Sequence, residues 1–176
     1  GRRHPRSLSM RFTLANFEFR RQHYVTALAM LESMQGDIPI LGETHPTVLY
    51  TRRHLAEYRV YKGDWESALE ELVDVFEKQL RHWGMNQDAA YTLGLATKLC
   101  EKHQRLPQLE RILGRAVEWL PDADDQLRIY RRLGRLQYRL GRFEESEKTI
   151  RRVCQLQKTV APERVGDWAM QQGALA

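Results

Sequence analysis

Few side chains in this sequence are of a type and spacing that could do chemistry. Six histidines stand at His4, His23, His45, His54, His82 and His103, with no His-Glu-x-x-His pair among them. Such a pair is what places two imidazoles on one helical face around zinc. Cys100 and Cys154 lack Cys-x-x-Cys spacing and a paired histidine, so they form neither a disulfide framework nor a zinc site. They read as thiols kept reduced inside helices. No Gly-x-x-x-x-Gly-Lys, Gly-x-Gly-x-x-Gly or Gly-x-Ser-x-Gly occurs, which removes phosphate-cradling loops and the nucleophile elbow. The acidic run Asp122-Ala123-Asp124-Asp125 could attract a cation. It fits better at the start of a helix, where carboxylates accept from orphan N–H groups and meet the positive dipole end. The expectation is a chain that is not an enzyme, with no cofactor and no metal.

One charged pattern stands out. Arg128, Arg131, Arg132, Arg135, Arg139 and Arg142 recur at helical intervals of three and four, opposite Tyr130, Leu133 and Leu140. Like charges at i, i+4 repel by roughly 0.2–0.5 kcal/mol per pair, so the stripe does not arise from helix stability. The net charge of +5 lies wholly in the second half: residues 1–88 carry 12 basic and 12 acidic side chains, and residues 89–176 carry 16 and 11. This is a local basic surface rather than a generally basic protein. Arginine presents a planar fork suited to carboxylate and phosphate. The bland alternative is a solvated face in which Arg139 pairs with Glu101, a contact worth about 0–1 kcal/mol.

The elements that must position these residues follow from internal repetition. With 42% hydrophobic and 29% charged residues, the 176-residue chain has the composition of a globular domain. No apolar run is long enough for a bilayer helix, and no secretory signal pattern opens the sequence. The chain begins at Gly1 without methionine, which reads as a piece excised from a longer protein. Gly1-x-x-His4-Pro5 recurs as Gly42-x-x-His45-Pro46, 41 residues on. Tyr24-x-x-Ala27 and Trp65-x-x-Ala68 follow at the same spacing, and Leu106 and Phe143 hold the corresponding places later. Each unit reads as two helices, A and B, around turns at Arg21-Gln22-His23, Lys62-Gly63-Asp64, His103-Gln104-Arg105 and Leu140-Gly141-Arg142. Ala15, Ala56, Ala96 and Gly134 supply the close approach from helix A, and Ala27, Ala68 and Ser146 from helix B. Leu31, Leu72, Leu113 and Ile150 continue the buried stripe. Pro5 and Pro46 suit a first helical turn, where a missing N–H costs nothing. The third unit departs: it loses His-Pro, places Pro107 in its B helix, and reads as carrying an extra residue in its turn.

These residues resemble the tetratricopeptide family, and the 41-residue period with Gly-x-x-His-Pro resembles its kinesin-light-chain-type branch. The resemblance implies an all-α, right-handed αα superhelix of about four repeats, near 1–41, 42–83, 84–121 and 122–157. Residues 158–176 would form a C-terminal capping helix or a truncated fifth repeat, since an end hairpin needs its apolar face covered. Within this family A helices line a concave groove. Carried over position by position, the groove comprises Phe12, Asn16, Phe19 and Arg20; then Tyr50, Arg53, His54, Glu57 and Tyr61. Leu93, Thr97 and Glu101 follow, and then the arginines of helix 4A, Arg128, Arg131, Arg132, Arg135 and Arg139.

The function expected is a cytoplasmic protein-interaction scaffold that binds an acidic or phosphorylated peptide in that groove. The alternative is a regulatory or self-association domain of a larger signalling protein, a kinase or nucleotide-switch ATPase. Membrane partners are excluded by the sequence pattern, nucleic acid is disfavoured for want of a recognised motif, and homo-oligomerisation is compatible with either reading.

Overall fold

The computed structural model describes residues 4–34, 36 and 41–160, and in these it is all helical. Eight helices follow one another: α1 (Pro5–Arg20), α2 (Tyr24–Met34), α3 (Pro46–Lys62), α4 (Trp65–Trp83), α5 (Gln87–Lys102), α6 (Leu106–Trp119), α7 (Ala123–Arg139) and α8 (Phe143–Val160). None among the described residues is long and apolar enough to cross a membrane. Two compact units result. One runs to His82 and includes Gln87–Leu99; the other consists of Trp83–Asn86 and the residues from Cys100 on. The helix expected in the tail around Trp168 lies outside the described residues.

Helix starts are specified locally, and histidine does some of the capping. In α1 and α3 the ring Nδ1 of His4 and His45 accepts from the backbone N–H of Arg6 and Thr47, each at 3.2 Å. A proline follows in the first turn of both. The repeated His-Pro is therefore an N-cap followed by a residue pre-set for the first turn. Asp122 caps α7 by accepting from Asp125 N–H at 3.1 Å, while Asp125 Oδ2 accepts from Met85 N–H at 3.1 Å. The acidic run is thus used in backbone pairing. Helix ends are equally regular. Every A-to-B turn has one left-handed residue: Gln22 (φ 65°), Gly63 (φ 91°), Gln104 (φ 57°) and Gly141 (φ 73°). Two of the four are glutamines, which pay a steric cost that glycine avoids.

These markers correct the register of the third unit. From the second unit to the third, the turn residue moves from 63 to 104 and the B-helix start from 65 to 106, both 41 apart. The A–B turn carries no extra residue, and Thr97 rather than Ala96 corresponds to Ala56. The fourth unit is shorter by four, with Gly141 and Phe143 37 residues beyond Gln104 and Leu106.

Packing follows the small positions. Ala15, Ala27, Ala56 and Ala68 are fully buried in the first unit. Phe12, Ala15, Leu31, Met34 and Leu55 form one apolar cluster joining α1, α2 and α3. Between α3 and α4, Arg52 bonds Glu71 and also meets Asp74 at 2.7 Å, and Lys78 meets Asp74 at 2.9 Å. Burial pushes the Asp74 carboxyl up, but the hydrogen bonds and charges of Lys78 and Arg52 outweigh it and hold it below its ordinary value. In the second unit Ser146 Oγ donates to the Gly134 carbonyl at 2.9 Å. A relay crosses the neighbouring helices: Thr149 Oγ1 donates to Gln137 Oε1, Gln137 Nε2 to Glu110 Oε1, and Glu110 Oε2 pairs with Arg142. Arg142 therefore lies in the turn after α7, which ends at Arg139, and is not part of that helix's stripe. Ile150, expected in the buried stripe, is 38% exposed; α8 instead buries Ser146, Thr149, Val153, Leu156 and Gln157.

Candidate functional site

The first unit contains a cleft of about 430 Å³ built from three A-type helices: Asn16, Phe19 and Arg20 of α1; Tyr50, Arg53, His54 and Glu57 of α3; and Gln87, Asp88 and Tyr91 of α5. Helical spacing explains the set. Residues 50, 53, 54 and 57 share one face of α3, and residues 16, 19 and 20 share one face of α1.

Arg53 sits at the centre with only 4% of its surface exposed. Its guanidinium carbon lies 4.4 Å from the Tyr50 ring centroid and 4.8 Å from that of Tyr91. Nη1 donates to Asp88 Oδ1 at 3.0 Å, yet Nε has no hydrogen-bond partner. Next to it, His54 is also buried, with Nδ1 2.8 Å from Glu57 Oε2. Its ring is flanked by Phe19 at 4.9 Å and Tyr50 at 4.5 Å between centroids. A carboxylate only accepts, so Nδ1 carries the proton, which leaves Nε2 buried and unpaired. Asn16 Oδ1 is buried and unpaired as well. Burial, followed by the Glu57 carboxylate, pushes the Tyr91 phenol above its ordinary value. A buried polar atom without a partner costs about 1–3 kcal/mol. Several such atoms, Asn16 Oδ1, Arg53 Nε, His54 Nε2 and Glu57 Oε1, lie together in this one cleft between aromatic side chains.

Seven of the residues read from the sequence meet here, and others do not. Phe12 is a core residue, packed edge-on to Tyr50 at 5.0 Å behind the cleft. Tyr61 is exposed beside Tyr24, at 5.4 Å. Leu93 is fully buried, and Thr97 bonds back to the Leu93 carbonyl at 2.8 Å. Glu101 pairs with Arg139 at 2.9 Å. Gln87, Asp88 and Tyr91 were missed because the third unit was anchored on Ala96. Setting Gly63 against Gln104 and Trp65 against Leu106 aligns Tyr50 with Tyr91 and would have found it.

On α7 the arginines are exposed but only partly unpaired. Arg128 lies 3.7 Å from Asp125, Arg131 donates to Gln157 at 3.0 Å, and Arg139 is held by Glu101. Arg132 and Arg135 are exposed and make no ion pair among the described residues.

No family model and no curated protein matches the chain. Solved structures do. A kinesin-light-chain-type protein of nearly identical TPR-like repeats from Podosopora anserina matches at 18% identity and a TM-score of 0.59. The match covers 90% of this chain and 79% of that one. A single-substitution variant of that protein matches equally well, with TM-score 0.59, 18% identity and coverage of 92% and 79%. BtubC (BKLC) from P. vanneervenii matches at TM-score 0.56 and 17% identity, over 87% of this chain and 64% of that one. The fold is thus a TPR-like helical repeat, similar to those of these kinesin-light-chain structures.

Proposed function

We propose that this chain is a peptide-binding array of four such repeats, and that the α1–α3–α5 cleft seats an acidic or phosphorylated segment of a partner protein. The observation that carries the reading is Arg53: a guanidinium almost wholly buried, stacked between two tyrosines, with Nε left unbonded at the cleft. Such a group is held at a cost, and a ligand oxygen at Nε would complete its bonding. Arg20 at the cleft edge adds positive charge, while Phe19, Tyr50 and Tyr91 offer an apolar seat for a neighbouring side chain. Arg132 and Arg135 of α7 provide a second, independent source of attraction for acidic residues.

The test is fluorescence anisotropy with matched peptides that are acidic, singly phosphorylated or neutral, each with one aromatic residue. Acidic and phosphorylated peptides should bind at least roughly tenfold tighter than neutral ones and weaken with added salt. The double variant Arg20→Glu/Arg135→Glu should erase that preference. Equal binding of all three peptides, or an unchanged preference in the variant, would refute the reading.

A further inference from the structure

The faces by which successive hairpins stack can be compared position by position, using the 41-, 41- and 37-residue offsets of the turns and helix starts. One A-helix face comprises residues 51, 55 and 58 in α3, 92, 96 and 99 in α5, and 129, 133 and 136 in α7. All nine of these residues are at most 9% exposed. Their counterparts in α1 are Met10, Leu14 and Phe17, which are 75, 48 and 53% exposed. Arg21 lies over the Phe17 ring at 5.5 Å but leaves the stripe open. The B helices show the complementary pattern. Leu31, Leu72 and Leu113 are at most 3% exposed, and their counterpart in α8, Ile150, is 38% exposed. On the same side of α8, two turns earlier and one turn later, stand Phe143, 62% exposed against Tyr138 at 5.4 Å, and the half-buried Cys154.

Both open faces correspond to faces that the chain buries at its successive hairpins. Leu55 of α3 shares a core cluster with Leu31 and Met34 of α2. Leu14 is the counterpart of Leu55, and Ile150 and Val153 are the counterparts of Leu31 and Met34. Among the described residues the A-type half is therefore uncovered on α1, and on α8 the B-type half is uncovered at Ile150, while Val153 is buried against Leu127 and Leu156. We infer that a second copy of this chain stacks head to tail, its α8 face (Phe143, Ile150, Cys154) covering the α1 face (Met10, Leu14, Phe17). The contact is heterologous: the two copies contribute different surfaces, and each dimer retains one free face of each kind. It uses neither the Arg53 cleft nor the arginines of α7.

Sedimentation velocity of the whole chain over a concentration series tests this. The chain should pass from monomer to dimer and then to larger species. Leu14→Glu and Ile150→Glu should each weaken self-association by roughly tenfold or more, as a charge placed in a desolvated contact does. Mixing the two variants distinguishes a heterologous contact from a symmetric one. Leu14→Glu keeps a sound α8 face and Ile150→Glu a sound α1 face, so the mixture should form a one-to-one dimer and nothing larger. A chain monomeric up to its solubility limit overturns the inference. So does association that survives both substitutions, or a mixture that stays monomeric. Should either variant lose its helical circular dichroism, Met10→Lys and Phe143→Lys, at still more exposed positions, replace them in the same test.

Discussion

Replacing Arg53 by methionine separates what this residue does for the fold from what it does for a ligand. Methionine has a similar stem and fills similar space without charge. The losses can be worked through. Two ring faces at 4.4 and 4.8 Å contribute about 0.5–1 kcal/mol each. The bond to Asp88, whose side chain is 57% exposed, contributes about 0–1 kcal/mol after screening. Against this stands relief from burying a guanidinium whose Nε makes no hydrogen bond, about 1–3 kcal/mol. Asp88 is exposed enough to return to water. The terms nearly cancel, so Arg53→Met should change unfolding stability by no more than about 1 kcal/mol. The same substitution should abolish the preference for acidic peptides. Urea denaturation followed by circular dichroism measures the first quantity, and anisotropy the second. A stability loss above about 3 kcal/mol, or unimpaired acidic-peptide binding, would show that Arg53 is a structural member of the α3–α5 packing and refute the reasoning.

Three further outcomes follow from the fold. His45→Ala removes an N-cap and should cost about 1 kcal/mol by urea midpoint, while His45→Asn, whose side chain caps equally well, should cost little. Cys100, fully buried and with burial as the main cause, has its thiol pushed up to about 11. In the folded protein at neutral pH it should resist maleimide while Cys154 reacts, and both should label in urea. Asp74 has a folded value below its ordinary 3.8. Its contribution is therefore complete above the unfolded value and is lost as pH falls through the folded one. Asp74→Asn should lower stability at neutral pH and flatten the acid limb of the stability curve.

The repeat, the helix order and the start of every B helix were legible in the sequence, because they rest on local signals. Large apolar residues at Tyr24, Trp65, Leu106 and Phe143 open those helices, and in three of the four a small residue three further on (Ala27, Ala68, Ser146) allows close packing. What was not legible depended on register or on partners distant in sequence. The third unit lacks His-Pro and has glutamine at its left-handed turn, so Ala96 was a false anchor and Tyr91 stayed hidden. Phe12 follows the groove periodicity, yet its ring reaches the α1–α2–α3 core. The arginine stripe was visible as a pattern, but only contacts 26 and 38 residues away, to Gln157 and Glu101, show that Arg131 and Arg139 are engaged. Histidine is not a usual N-cap, so the role of His4 and His45 required the geometry of Nδ1.

The claim that matters most is that the α1–α3–α5 cleft takes the acidic ligand. Side-chain NMR of the Arg53 Nε–H and the His54 ring, during titration with a phosphorylated peptide, reads it at the atoms concerned. Saturable shifts at both groups, following the binding curve and absent with the unphosphorylated peptide, are the predicted result. Binding that leaves both groups unmoved, with shifts confined to the arginines of α7, would contradict the account.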